Sequence, residues 1–238
     1  KDSEKEYLSD LKQYCDEVYL CKRPEKPWQL KTILKAVFTT QPFLIARNFS
    51  IEAQNSINQL LKDDNYDVIH SETFYVMPHL PQTKAPVFLV EQTIEFEVYQ
   101  HFVDSLPFFV RPILYIDILK LKFWEKYYWR RAKLMATVSE TDRNTVIKVA
   151  PDLNPVVIPN GAGEDMRIEK LERKPFKQLN LLFQGNFSWL QNVEAAEFLI
   201  NSVYPTLRKN FPEMELIIGG QHANKIKKSH PEVSVVEI

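Results

Sequence analysis

The chain has 238 residues, of which 45% are hydrophobic and 26% are charged, a composition typical of a folded protein with a substantial core. Its formal net charge is −1, so there is no overall basic field to attract nucleic acid, and we expect no nucleic-acid partner. Cys15 and Cys21 have no further cysteine or nearby histidine. This pattern does not favour zinc binding and is typical of reduced thiols in a cytoplasmic protein.

The first two thirds of the chain alternate between two kinds of pattern. Apolar residues at helical spacing predict helices over 5–15, 26–38, 50–62, 94–103 and 112–132. Short runs of β-branched and apolar residues predict strands over 17–21, 66–70, 86–90, 134–138 and 155–159. Ser50 and Ser139 stand where helix caps are expected. Strands alternating with helices in this way predict a parallel sheet covered on both faces.

The last third repeats this alternation. Strands are predicted at 180–185, 214–220 and 233–238, with a helix over 189–208 between the first two. Pro205 is expected to kink or end that helix near its last turn. The sequence therefore predicts an α/β fold with a second, smaller parallel sheet.

Glycine is confined to the ends of these predicted strands. The chain has no glycine before residue 161, and its five glycines are Gly161, Gly163, Gly185, Gly219 and Gly220. Each one alone could serve only a tight turn. Ligands of open α/β sheets bind beyond the carboxyl ends of the strands, however, and three successive strand ends with glycine favour a binding edge there.

The turn at 159–163 separates the two series of strands and helices. We therefore expect a first domain over 1–158, a hinge or linker over 159–177, and a second domain over 178–238. The second domain is short for a sheet with a well-covered core.

Several motifs, taken in order, resemble the large retaining family of GT-B-fold glycosyltransferases usually numbered four. They are "YDVIH", "VEQTIE", "VSETDRN", "VIPNGAGED", "LLFQGNFSWLQNVEAAEFL" and "MELIIGG". The resemblance implies two Rossmann-like domains: the amino-terminal one presents the acceptor and the carboxyl-terminal one holds a nucleotide-diphosphate sugar. It also implies that neither a metal nor another cofactor is required.

Two parts of the family pattern have no counterpart here. Members open with a strand and a glycine-rich turn, and nothing similar precedes "KDSEKEY". They also carry a pair of donor-binding glutamates later in the second domain, and Ile238 comes before that region. We therefore expect the chain to be the middle of a longer enzyme, with an incomplete second domain and inactive by itself.

The donor site implied by the resemblance is altered at two positions. Many members have a glycine, an arginine and, further on, a lysine that hold the donor diphosphate. The glycine is retained as Gly185, but Asn186 stands at the arginine position and Gln191 at the lysine position. Neutral amides still donate hydrogen bonds, though these are weaker than the charge-assisted bonds of arginine and lysine.

Further candidates follow strands of the first domain. The resemblance places Glu91 and Gln92 in the cleft as catalytic candidates, with Gln92 where many relatives have a histidine. Glutamine cannot exchange a proton near neutral pH but can orient a sugar hydroxyl. Ser139 on the acceptor side is either a binding residue or a helix cap, and Asn160 with Gly161 is either a donor contact or a turn. His70 and His79, each without an evident partner, are expected to be structural.

The helix over 112–132 interleaves basic and aromatic residues. Its pattern fits either packing of the aromatic side chains against the sheet or contact with an anionic membrane surface, and we favour packing. The predicted function is transfer of a sugar from a nucleotide-diphosphate donor to a carbohydrate or lipid-linked acceptor, in the cytoplasm or at the cytoplasmic membrane surface. The alternative is a GT-B-like carbohydrate-binding or interaction protein that has lost catalysis, since the arginine and lysine are replaced.

Overall fold

The structure, a computed structural model, describes residues 7–23, 28–62, 66–161, 163, 180–227 and 232–237. It divides into two compact units, Lys1–Gly161 and Ala162–Ile238. Each unit has its own parallel sheet and its own apolar core.

The sheet of the first unit has four strands in the order β1-β2-β3-β4, all parallel. The strands are β1 (Ile69–Glu72), β2 (Val87–Glu91), β3 (Leu134–Thr137) and β4 (Val156–Val157). Because the strands are parallel and consecutive in the chain, all four carboxyl ends lie along one edge, which we call edge 1.

Seven α-helices are described in the first unit. They are α1 (Leu8–Leu11), α2 (Leu30–Phe38), α3 (Phe43–Asn48), α4 (Ile51–Leu60), α5 (Glu95–Asp104), α6 (Arg111–Arg131) and α7 (Glu140–Val149), with a 3₁₀ helix over Phe74–His79. The long helix α6 buries Ile118, Leu121 and Tyr128 on one side. They belong to the core of the unit, together with Leu89 on β2 and Val103 on α5.

The second unit has three parallel strands in the order β5-β6-β7, and its carboxyl ends form edge 2. These strands are β5 (Asn180–Gln184), β6 (Glu215–Gly220) and β7 (Val233–Glu237). Helix α8 (Leu190–Phe198) continues through a π-helical turn, Leu199–Val203, into α9 (Tyr204–Arg208). The π turn lies where a regular α-helix would need the amide hydrogen that Pro205 lacks.

The predicted α/β class with parallel sheets flanked by helices is confirmed. Strands β2 and β3 pair in parallel, with Val90 opposite Ala136. The predicted hinge at 159–177 lies for the most part outside the described residues, so it stays a prediction, as do the domain bounds drawn around it.

Several element predictions differ from the structure, and β4 is shorter than the strand expected over 155–159. The strand expected over 17–21 is absent, and Tyr19 and Leu20 are exposed there, because an apolar run without a neighbouring strand has no partner for its backbone. The first helix is shorter than expected, since α1 covers only Leu8–Leu11. Strand β1 begins and ends later than predicted, which brings Glu72 to edge 1.

Candidate functional site

Four polar side chains form a hydrogen-bonded row along edge 1. Glu72 is the last residue of β1. Its Oε2 atom is 3.1 Å from His70 Nε2, and its Oε1 atom accepts a hydrogen bond from Gln92 Nε2. Asn160 Nδ2 in turn donates to Gln92 Oε1 at 2.9 Å. We call His70, Glu72, Gln92 and Asn160 the edge network.

The edge network brings together two residues that the sequence singled out, Gln92 and Asn160. Their order in the sheet explains the contact, because Gln92 follows β2 and Asn160 follows β4, and the long glutamine side chain spans the end of β3 between them. Glu72 was missed because the predicted strand ended two residues too early, at His70. His70 stacks on Phe88, with 5.2 Å between the ring centroids, so it has partners that its sequence context did not reveal.

Glu91 occupies a different position from the one expected. Its side chain is only 1% exposed, so the expectation that it faces an open cleft is wrong. Its Oε1 accepts a hydrogen bond from Trp129 Nε1 at 2.8 Å, and its Oε2 accepts one from the backbone N–H of Phe74 at 3.2 Å. The carboxyl group therefore joins β2, α6 and the start of the 3₁₀ helix beneath edge 1.

Burial raises the pKa of Glu91 to about 8, against the opposing effect of the hydrogen bonds from Trp129 and Phe74. A second carboxyl group, Glu125 on α6, is fully buried nearby, and its oxygens accept the backbone N–H groups of Glu95 and Phe96 at 2.8 and 2.9 Å. Burial, and next the charge of Glu91, hold the pKa of Glu125 well above its usual range. These two carboxyl groups fix the elements below edge 1 rather than reaching solvent.

The turn between β1 and the 3₁₀ helix is strained. Thr73 has φ 68° and ψ 155°, a region that is nearly exclusive to glycine. Its N–H donates to Val90 O at 2.9 Å, its carbonyl accepts from Ser71 Oγ at 3.2 Å, and the next residue is held by Glu91. The buried contacts hold this turn in place directly beside Glu72.

Ser139 caps α7, as one of its two interpretations predicted. The Asp142 N–H donates to Ser139 Oγ at 3.1 Å, and Ser139 Oγ donates to Asp142 Oδ2 at 2.5 Å. Its hydroxyl is thus engaged both as acceptor and as donor, and a contact of Ser139 with an acceptor sugar stays a prediction. Gly161 follows Asn160, and a Cβ at Gly161 would meet no atom within 4 Å.

At edge 2, the backbones that follow β5 and β6 touch. Gly220 has φ +133°, and a Cβ there would lie 2.0 Å from the carbonyl oxygen of Gly185. The Gly185 N–H donates to Gly219 O at 3.1 Å, and the Phe187 N–H donates to Gln221 O at 2.8 Å. Glycine at 220 is therefore required for the close approach of the two strand ends.

Neutral side-chain amides lie where the two strand ends meet. Asn186 Nδ2 donates to Gln221 Oε1 at 2.8 Å, while Asn186 Oδ1 accepts the Ser188 N–H at 2.9 Å. Asn192 Nδ2 donates to the backbone carbonyl of Asn186 at 2.9 Å. We call Asn186, Ser188, Asn192 and Gln221 the amide cluster. Gln191 is exposed in the first turn of α8.

The backbone N–H groups around Gly185 have partners within the unit. The backbone N–H groups of Gly185, Phe187 and Ser188 already donate within the unit, so they do not form a set of free amides for a phosphate. A Cβ on Gly185 would meet the side-chain amide of Asn192 at 3.3 Å. Donor binding at Gly185 stays a prediction, and the side-chain amides above it are the groups that could exchange partners.

Within the described residues, no group of three or more His, Cys, Asp or Glu side chains is placed to hold a metal ion. In the same part of the chain, no helix combines the length and the apolar content that crossing a membrane requires.

No protein-family model matches the chain, and no curated protein matches it significantly. Among solved structures, it is similar to a protein described as a UDP-N-acetylglucosamine 2-epimerase from Listeria monocytogenes, with 12% identity and a TM-score of 0.40, over 78% of this chain and 50% of the other. MnaA from S. aureus, solved with UDP, is similar with 13% identity and a TM-score of 0.38, over 78% of this chain and 51% of the other.

The chain thus spans about half the length of both of these proteins. TM-scores of this size do not establish a shared fold, so the α/β assignment rests on the parallel sheets of the chain itself.

Proposed function

We propose that this chain forms part of an enzyme that handles nucleotide sugars, and that the enzyme is a retaining glycosyltransferase. It would move a sugar from a nucleotide-diphosphate donor to a carbohydrate or lipid-linked acceptor. The observation that carries the proposal is the contact of Asn186 with Gln221 above the point where Gly220 meets Gly185. Polar groups beside glycine backbone at the carboxyl ends of parallel strands are typical of a ligand site in an open α/β sheet.

The donor phosphates would bind to the amide cluster. An incoming phosphate oxygen would take the Asn186 Nδ2 hydrogen bond that Gln221 Oε1 now accepts, and it would receive a second bond from the amide nitrogen of Gln221. Donors held in place in this way stabilise the charge that develops on a departing phosphate. Because the donors are neutral, each contact is weaker than one from arginine or lysine.

The acceptor would bind at the edge network. Glu72 can accept a hydrogen bond from a sugar hydroxyl, and Gln92, held between Glu72 and Asn160, can orient a second one. Glu91 acts one layer deeper as a positioning residue, because it is buried and holds the Phe74 N–H beside the strained Thr73 turn. Asn160 would then take part in the acceptor site through Gln92, and its contact with the donor stays a prediction.

A second function, carbohydrate or nucleotide-sugar binding without transfer, is favoured by one observation. The amide cluster consists only of neutral groups, and Gln191 beside it is also neutral. Such a site can bind a donor while stabilising a leaving diphosphate poorly.

Calorimetric titration of UDP and GDP sugars into the complete gene product tests the proposal. We expect at least one nucleotide sugar to bind and the Gly185→Val variant to lose binding with little change in melting temperature. The substituted position is not in the left-handed region and would press only on the flexible side chain of Asn192. Ala195→Val, on the exposed side of α8, is the control and should bind as the wild type does.

Three outcomes separate the alternatives. A folded Gly185→Val variant that still binds the donor would remove the site from this position. Binding without release of nucleoside diphosphate in the presence of acceptor sugars would support the non-catalytic alternative. Conversion of the donor sugar with no acceptor present would contradict a transferase.

A further inference from the structure

The outward side of α6 is apolar. Ile116, Leu119 and Phe123 are 59%, 67% and 62% exposed. They lie at positions i, i+3 and i+7, which share one side of a helix. The opposite side, with Ile118, Leu121 and other residues, is buried in the core. The helix thus has one apolar stripe that packs in the unit and a second that does not.

The exposed apolar surface continues through the first turn of α6 into the turn that precedes the helix. Ile113 is 69% exposed, and Phe108 and Phe109, in the turn before the helix, are 79% and 68% exposed. We call Phe108, Phe109, Ile113, Ile116, Leu119 and Phe123 the α6 apolar face. Exposed aromatic side chains at a turn, followed by an apolar helix face, are rare on a surface that meets only water.

The neighbouring helix α2 carries a similar surface. Lys120 Nζ donates to Ala36 O and Thr39 O at 2.7 and 2.8 Å, which attaches the end of α2 to α6. On α2, Val37 and Phe38 are 57% and 81% exposed. The apolar surface therefore involves two helices of the same unit.

The charged side chains of α6 that border the apolar stripe are basic, and one of them, Arg130, is paired with the exposed Asp152 at 2.7 Å. Both carboxylates of the helix point inward: Asp117 accepts the Phe43 N–H at 3.0 Å, and Glu125 is buried. Lys122 and Lys126 flank the apolar stripe on the same helix, and Lys122 Nζ lies 4.8 Å from the ring centroid of Phe96. An apolar stripe bordered by lysine, with no acidic side chain of the helix facing outward, matches an anionic surface.

The aromatic residues that first suggested a membrane contact behave differently. Trp129 and Tyr128 are buried, and Trp124 donates its Nε1 hydrogen to Thr40 O at 2.8 Å. Packing, the favoured interpretation from the sequence, is therefore confirmed for these three side chains. The exposed apolar face is formed by other residues of the helix and by the turn before it.

We infer that the α6 apolar face docks on an anionic lipid surface, with α6 lying in the plane of the interface. Phe108 and Phe109 would enter the acyl boundary beside Ile113, and Lys122 and Lys126 would meet the headgroup phosphates. This inference goes beyond the proposed function, since it concerns where the first unit is held and does not depend on which donor the amide cluster binds.

Co-sedimentation with phosphatidylcholine vesicles, with and without phosphatidylserine, tests the inference on the complete gene product. We expect binding to the anionic vesicles and much weaker binding to the neutral ones. Leu119→Glu combined with Phe123→Glu should lower vesicle affinity at least about tenfold, because both apolar burial and charge become unfavourable. Lys122→Glu combined with Lys126→Glu should also lower it at least about tenfold, and the binding that remains should depend less on salt, because the attraction that salt screens has been removed.

Matched controls lie in the second unit. Phe198 is 64% exposed on α8, nearly the same fraction as Phe123, so Phe198→Glu introduces the same change outside the proposed face. Lys225→Glu combined with Lys227→Glu changes the net charge as much as the lysine pair on α6 does. Both controls should bind anionic vesicles as the wild type does.

Several results would overturn the inference. They are absence of wild-type binding to anionic vesicles, equal binding to neutral ones, and an equal effect of Phe198→Glu. Self-association of the wild type that Phe123→Glu abolishes, measured by sedimentation velocity, would assign the face to a second copy of the chain instead. Donor titration on the same variants keeps the two proposals apart, because the α6 substitutions should leave nucleotide-sugar affinity unchanged.

Discussion

Edge 1 and edge 2 are both formed by the carboxyl ends of parallel strands, yet they are constructed differently. Edge 1 carries an ionisable pair, His70 and Glu72, with the buried carboxyl groups of Glu91 and Glu125 beneath it. Edge 2 carries only amides and a hydroxyl in its cluster, above backbone that meets backbone at Gly220.

The difference shows two ways in which polar side chains are held at the carboxyl ends of parallel strands. At edge 1, buried carboxyl groups satisfy backbone N–H groups and hold strained backbone, so that exposed side chains can point along the edge. At edge 2, the absence of a side chain at Gly220 allows two strand ends to approach each other. The side-chain amides of Asn186 and Gln221 are hydrogen-bonded to each other above this point. The first design depends on charge and pH, and the second on backbone geometry.

The largest expected effect concerns the support of edge 1. Glu125→Ala leaves the backbone N–H groups of Glu95 and Phe96 buried without acceptors and opens a cavity, so it should lower the free energy of unfolding by about 4 kcal/mol. Denaturant unfolding measures this loss. Glu72→Ala is the control, since that exposed carboxylate should cost less than about 1 kcal/mol. Equal losses in both variants would refute the distinction between the buried and exposed carboxylates.

The next effect concerns the support of edge 2. Gly220→Ala places a Cβ 2.0 Å from the Gly185 carbonyl oxygen at a φ of +133°. Since backbone cannot yield as a flexible side chain does, the substitution should cost about 3 kcal/mol of unfolding free energy. Gly161→Ala, with no atom within 4 Å of the new Cβ, should change stability by less than about 0.5 kcal/mol. A stable Gly220→Ala variant would show that the strand ends are not in contact.

A third effect concerns the pH dependence of the first unit. Burial raises the pKa of Glu91 to about 8, so the folded state holds its proton at a pH where the unfolded chain releases it. The stabilisation that the protonated Glu91 contributes is complete below the ordinary glutamate pKa. It is lost as the pH rises towards the pKa that Glu91 has in the folded state. Burial also raises the pKa of Glu95 and Glu125, which act in the same direction. The unfolding free energy should therefore fall from pH 5 to pH 8.

Glu91→Gln should make this fall smaller, because a neutral amide replaces one of the titrating groups. Glu72→Gln, at an exposed position, should leave the slope as it is in the wild type. Chemical unfolding of the three proteins at several pH values gives the comparison. A slope that is unchanged in Glu91→Gln would contradict the burial of an uncharged Glu91.

The strand-helix alternation and both parallel sheets could be predicted from the sequence because apolar periodicity is local. The same is true of the cap at Ser139, where the acceptor and its N–H are three residues apart. The absent strand at 17–21 shows the limit of such patterns: its residues have strand composition, but none of the strands in the described part of the chain pairs with them.

The site was less predictable, because its contacts join residues far apart in the chain. Gln92 and Asn160 could be selected from their place after strands, but their contact depends on the order of the sheet. The burial of Glu91 depends on Trp129, which comes from another element, and no local pattern indicates it. The positive φ of Thr73 is likewise invisible in the sequence, since a β-branched residue does not suggest it.

Binding of a nucleotide sugar through the amide cluster is tested most directly by a double-mutant cycle at Asn186 and Gln221. UDP and GDP sugars are titrated calorimetrically into the wild type, Asn186→Ala, Gln221→Ala and the double variant, all made in the complete gene product. The account predicts that the wild type binds at least one of them and that each single variant loses about fivefold to tenfold in affinity. Because donor binding breaks the contact between the two amides, and each single variant already lacks that contact, the double variant should lose more than the product of the single losses. A wild type that binds no nucleotide sugar, or a folded double variant with unchanged affinity, would contradict it.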